Sequence, residues 1–238
     1  MSAALGLDLT VLVDDLISDR GAEAGAFPAH GIGILAELHL DEGSRLRLLL
    51  DGGPLLDVLI HNAEVLCVNL SNVDAAIAAL WSSHHVCAFL YLTRSKKIEA
   101  FYLPPLPKTK YYMMEQLTGI PVVLVPFQSP IYNERAVLIR TFRGYVAFIA
   151  CSVYGIDIAL QAIDKALQKL NGKLIGIIGG FNLSSFDAYG LRLLVKFAKL
   201  RKANVVPLHS TSIEAREKIA KAFELEELTG VGTKVVYE

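Results

Sequence analysis

The sequence predicts an α/β protein built as a four-layer αβ/βα sandwich, two mixed β-sheets with external helices. Three observations carry this expectation. Short runs rich in valine, isoleucine and leucine recur along the chain, many of them apolar on both parities, as strands covered on both faces require. Segments with helical spacing alternate with these runs. The elements also fall into two similar halves meeting near 119–121, which together form a single domain over residues 1–238.

In the first half the strand-like runs are "LDLTVLVDD", "GIGILAELHL", "RLRLLLDGG", "AAIAAL" and "IEAFYLP". The second half contributes "PVVLVPF", "AVLIRTF", "YVAFIACS", "KLIGIIGG", "NVVPLHS" and "TKVVYE". Pro54 suits the first turn of a helix whose Leu56, Leu59, Ala63 and Leu66 form one apolar stripe. Ile156, Leu160, Ile163, Leu167 and Leu170 repeat at helical spacing until Asn171-Gly172 ends them. Ser184 or Ser185 is expected to cap a third helix, and Thr211 with Glu214 reads as a capping box for a fourth. The proline-rich "LPPLPKTK" at 103–110 reads as a connector.

Composition narrows the function classes. The 53% hydrophobic content and mean hydropathy of +0.43 raise the question of a membrane span, yet no stretch of about 20 apolar residues runs without polar interruption. The start "MSAALGLDLTVLVDD" lacks the order of a secretory signal, so a cytoplasmic location is expected. A net charge of −1, with no basic run longer than "RSKK", leaves no footprint for nucleic acid. Cys67, Cys87 and Cys151 are scattered with no C-x-x-C pair, and are expected to be small buried thiols without thiolate chemistry.

Several stretches in order resemble the metallo-β-lactamase superfamily, in particular a hydrolase-like branch of it widespread in archaea. They are "VLVDD", "HGIGILAEL", "LLLDGG", "LIHNAEVLCVNLSNVDA", "YNERAVLI", "ACSVYGI", "IIGGFNL", "VVPLHSTS" and "GVGTKVV". The resemblance implies a metal motif H-x-H-x-D-H, which falls, counting from Asp51 to Asp74 without a gap, on Leu80, Trp81, Ser82, Ser83, His84 and His85 of "LWSSHHVC". The later ligand positions it implies are Val153 in "CSVYG", Asn182 in "GFN" and His209 in "PLHST". Leu80, Ser82, Val153 and Asn182 are therefore vestigial, and all three terminal ligands of the first metal position are replaced. Asp51 and Asp14 stand where the family uses aspartates to orient site loops.

Leucine and valine cannot ligate an ion and a serine hydroxyl is a poor zinc donor, so two-metal hydrolysis is not expected. The chain is expected to be a non-hydrolytic pseudoenzyme or binding protein without a cofactor, acting on an undefined small molecule or protein partner. The alternative is a single-zinc hydrolase using His84, His85 and His209, since three imidazoles and a water can hold zinc. Cys151 with His84 and Asp51 in a metal-free enzyme is a third reading that spacing does not support. The plain expectation for His84 and His85 is a polar loop pair bonded to backbone or water, with His30, His39 and His61 structural.

Overall fold

Doubly apolar strands dominate the computed structural model, which describes residues 3–95, 98, 100–105, 113–127 and 133–238. In chain order the elements begin with β1 (Gly6–Val13), α1 (Asp19–Ala24), β2 (Gly33–His39), β3 (Arg45–Leu50), α2 (Leu56–Val65), β4 (Ala75–Ile77), α3 (Ser83–Ser95) and β5 (Ala100–Tyr102). They continue with β6 (Glu115–Gln116), β7 (Val122–Phe127), β8 (Glu134–Thr141), β9 (Gly144–Ile149), α4 (Ile156–Leu170), β10 (Leu174–Gly179), α5 (Ala188–Arg201), β11 (Asn204–Pro207), α6 (Ile213–Phe223) and β12 (Lys234–Tyr237).

The chain divides into two compact units. The first is Ala4–Pro104 with Thr229–Glu238, and its sheet runs β12-β1-β2-β3-β4-β5. The second is Pro105–Leu228 with Met1–Ala3, and its sheet runs β6-β7-β8-β9-β10-β11. The division falls at Pro104–Pro105 rather than at 119–121. Gly119 to Pro121 instead belong to the turn of the β6–β7 hairpin, in which Glu115 pairs with Leu124. The apolar onset at Pro121 marks the start of a strand, β7.

Each sheet follows the same scheme. In the first, β12, β1, β2 and β3 pair antiparallel and β3, β4 and β5 pair parallel. In the second, β6 to β9 pair antiparallel and β9, β10 and β11 pair parallel. Parallel neighbours need a crossover, and α2 to α5 supply it. In the second unit Leu160 and Ile163 of α4 and Leu194 of α5 share a core with Val123, Leu138, Ala147 and Ile177. In the first, Leu59 and Ala63 of α2 and Phe89 of α3 share one with Leu35, Leu49 and Ala76.

Residues of the opposite parity, such as Ile34, Leu48, Leu50, Val137, Ile139 and Phe148, are fully buried as well. Two buried faces per sheet account for the high hydropathy, and among the described residues no helix is long and apolar enough to cross a membrane.

The capping residues differ from expectation at three helices. Leu55 precedes α2, which starts two residues after Pro54. Asp187 caps α5 by accepting from Gly190 N–H at 2.8 Å, while the Ser184 carbonyl accepts from Asp187 N–H in the preceding turn. Ser212 caps α6 by accepting from Ala215 N–H at 3.3 Å, while the Thr211 hydroxyl accepts from Phe181 N–H. The Glu214 carboxyl is held below its ordinary value by its own backbone N–H and by Ser212. Helix α4 runs as its periodicity predicts and closes on Asn171 in the left-handed region.

Tyr237 on β12 is buried, its hydroxyl has no hydrogen-bond partner among the described residues, and burial raises its pKa. An unsatisfied buried hydroxyl is destabilising, so Tyr237→Phe is expected to raise stability by about 1 kcal/mol. Urea denaturation checks this, and a loss of stability would show that the hydroxyl has a partner after all.

Candidate functional site

Chemistry-bearing side chains collect at the ends of the parallel strands, where non-glycine residues adopt left-handed backbone: Asp51 after β3, Ser152 after β9, Asn182 after β10 and Ser210 after β11. Such conformations cost energy and persist only where surrounding bonds fix them. At Asp51 and Ser152 those bonds come from a buried carboxylate.

In the first unit the carboxylate is Asp51, with no solvent exposure. Its N–H extends the β3–β4 ladder to Ile77 O at 3.0 Å. Its Oδ1 accepts from Ala79 N–H at 2.7 Å, and its Oδ2 lies 2.9 Å from His85 Nδ1. Gly52 N–H donates to His85 O at 2.8 Å, so one turn grips both ends of that residue. "LWSSHHVC" is therefore not an isolated turn. It spans the exit of β4 and the first turn of α3, with the Ser82 carbonyl accepting from His85 and Val86 N–H.

His85 is 1% exposed and paired to Asp51, which corrects the expectation of a loop histidine bonded to backbone or water. His84 is half-buried, with its ring centroid 4.5 Å from that of His30 in an edge-on contact. His30 Nδ1 lies 3.1 Å from Asp15 Oδ1, and nitrogens of the His30 and His84 rings come within 4.8 Å. Gly31 makes this approach feasible, because a Cβ there would lie 2.2 Å from His84 O. The only trace in the sequence is the His30-Gly31 pair itself.

Asp14 is buried and serves its own loop, its Oδ2 accepting from Leu16 N–H at 3.2 Å. His39 pairs with Asp8, and His61 bonds Gly25 O and stacks on Phe27.

In the second unit the carboxylate is Glu134, 1% exposed. The β8–β9 register, with Val137 opposite Phe148, carries Glu134 to a place across from Cys151. Its Oε1 accepts from Cys151 N–H at 2.9 Å and Ser152 N–H at 2.7 Å, and its Oε2 accepts from Val153 N–H at 2.9 Å. Side chains then cross-link the three strand-end loops. Ser152 Oγ donates to Gly180 O, Ser210 Oγ donates to Cys151 O at 3.1 Å and accepts from Asn182 N–H at 3.1 Å, and Asn182 Nδ2 donates to Ser152 O.

His209 is 2% exposed, and one of its ring nitrogens lies within 4.8 Å of Cys151 Sγ. Cys151 therefore has a basic neighbour that sequence spacing does not reveal.

The residues present decide how well a two-metal centre fits. Leu80 is 2% exposed and Val153 half-buried, and both side chains are hydrocarbon. Ser82 Oγ accepts from His84 N–H at 3.4 Å, and the Asn182 side chain is engaged with backbone. These four positions do not fit a dinuclear site. Asp51 and His85 do fit a metal site, because a carboxylate on Nδ1 fixes the tautomer and assigns any ligation by that ring to Nε2. His84 and His85 belong to the first unit and His209 to the second.

No protein-family model and no curated protein sequence matches this chain. Among solved structures, Tm1679, a metal-dependent hydrolase of the beta-lactamase superfamily, matches with a TM-score of 0.62 at 19% identity, covering 96% of this chain and 98% of its own. The chain has the metallo-β-lactamase fold. An N-acyl homoserine lactone lactonase (TM-score 0.40, 10% identity, 87% of this chain and 93% of that one) also matches. So does MEM-A1, a subclass B3 metallo-β-lactamase from a soil metagenome library (TM-score 0.39, 11% identity, 90% and 92%). The fold assignment rests on Tm1679.

Within this metallo-β-lactamase fold, Glu134→Gln tests how the strand-end loops are held. The amide would set an N–H donor against backbone donors, so a loss of about 2 kcal/mol is expected, read from thermal or denaturant unfolding. An unchanged midpoint would mean that the carboxylate does not hold Cys151 to Val153.

Proposed function

We propose that the chain has lost the two-metal hydrolysis of its fold and acts as a hydrolase on a single divalent ion of the zinc type. The residues that would hold it are those the resemblance assigns, His84, His85 and His209. The observation supporting this reading is the buried Asp51–His85 pair, whose 2.9 Å contact is the kind that orients and strengthens an imidazole ligand. When bound, such an ion supplies Lewis acidity and a water acidified towards neutrality.

The chain's own residues do the rest of the work. Asp51 holds His85 in one tautomer, Ser82 fixes the turn that carries His84, and Glu134 with Ser210 and Asn182 keeps the strand-end loops in place. The chain is taken as one domain, acting in the cytoplasm on a small molecule or a protein.

A second reading, a non-hydrolytic binding protein, is favoured by the donor-poor Leu80, Ser82, Val153 and Asn182. Elemental analysis of protein purified without a metal-affinity tag separates the two. The single-metal reading expects stoichiometric zinc that is lost in His209→Ala, with slow ester or phosphodiester hydrolysis abolished by chelator. Asp51→Asn is expected to weaken metal binding about 10–100-fold, measured by competition with a chromophoric chelator. Metal-free protein, or hydrolysis indifferent to chelator, rejects this reading in favour of the binding protein.

A further inference from the structure

Three neutral imidazoles leave the charge of a divalent ion uncompensated, and the motif position where the family has an aspartate is held here by His84. A donor carrying negative charge would restore the balance. We infer that Cys151 is a metal ligand, paired with His209, and that the chain selects thiophilic ions such as zinc or cobalt over manganese or magnesium. This rests on the single-metal reading and adds to it a residue outside the resemblance's ligand set.

Three observations within the second unit support the assignment. Cys151 Sγ and a His209 ring nitrogen lie within 4.8 Å, and two donors of one tetrahedral zinc stand about 3.5 Å apart, within reach of a small side-chain adjustment. The backbone segments bearing the two donors are also joined to each other. Ser210, next to His209, donates its hydroxyl to Cys151 O at 3.1 Å, while Cys151 N–H is held by Glu134 at 2.9 Å. Both segments further press on Gly180, where a Cβ would meet Ala150 O at 2.3 Å and His209 O at 2.5 Å. The thiol is thus delivered from a strand end fixed on both sides, the kind of support a ligand needs.

Exposure differs among the three cysteines in a useful way. Cys151 and Cys87 are half-buried, whereas Cys67 is exposed. A thiol ligates as thiolate, so as the sulfur–metal bond forms the Cys151 proton passes to buffer. Soft sulfur with imidazole favours zinc and cobalt, while carboxylate and water sites suit manganese and magnesium.

The test uses the full chain, stripped of metal and reloaded with cobalt(II) or zinc(II). The cobalt-loaded protein is expected to show a thiolate-to-metal charge-transfer band in the near ultraviolet, retained in Cys87→Ser and lost in Cys151→Ser. Serine keeps both backbone bonds of residue 151, so the variant retains its fold, which circular dichroism confirms. Zinc is expected to slow iodoacetamide alkylation of Cys151 about tenfold, read by mass spectrometry, with Cys67 unchanged as internal control.

Stoichiometric cobalt without the band, or a band that survives in Cys151→Ser, overturns the cysteine assignment and leaves the single-metal reading standing. Equal alkylation of Cys151 with and without bound zinc does the same. Absence of stoichiometric metal overturns both.

Discussion

A buried carboxylate at a strand end organises each half of this chain. Asp51 is fully enclosed, and its two oxygens are spent on Ala79 N–H and on the His85 imidazole. Glu134 spends its two on three consecutive backbone N–H groups from Cys151 to Val153. Burying a charge without partners is very costly, so each carboxylate dictates the course of the loop around it. The left-handed backbone at Asp51 and Ser152 persists because those bonds would be lost if the loops relaxed.

The sheet scheme explains why these groups lie where they do. In each unit three antiparallel pairings lead into two parallel ones, and crossover helices return the chain so that successive parallel strands end on the same side. In α/β sheets the carboxyl ends of parallel strands are where loops gather functional groups. Here the first unit brings Asp51 and the "SHH" turn to that edge, and the second brings Cys151, Asn182 and His209. The repeat is architectural, whereas the chemistry differs between halves, aspartate with imidazole in one and glutamate with hydroxyls and a thiol in the other.

The architecture was legible because doubly buried strands leave an apolar signature on both parities, as in "RLRLLL" and "VAFIA". Helix α4 was legible to the residue because periodicity and the Asn171-Gly172 stop agree. The cap of α6 was missed because the Thr211 hydroxyl is already engaged with Phe181 N–H, and the cap of α5 because the helix starts later than the serines, at Ala188 behind Asp187. "AAIAAL" yielded only the three-residue β4, because Ala79 is drawn out of the ladder by Asp51.

At the site, adjacency through the fold was invisible. His30 lies far from His84 in sequence, Glu134 reads as an ordinary strand residue, and the Cys151–His209 approach depends on pairing between β9, β10 and β11.

Leu80 and Val153 present hydrocarbon at positions where the resemblance would place metal ligands. Asp51 is different, because an apolar residue in its place would strand both the Ala79 N–H and the buried His85 imidazole. It is fully enclosed, with its Oδ2 2.9 Å from His85 Nδ1. Ser82 caps the helix bearing His85, its hydroxyl and carbonyl both receiving N–H groups of the α3 first turn. Asp51 and Ser82 together fix the first turn of α3, and with it the orientation of the His85 side chain.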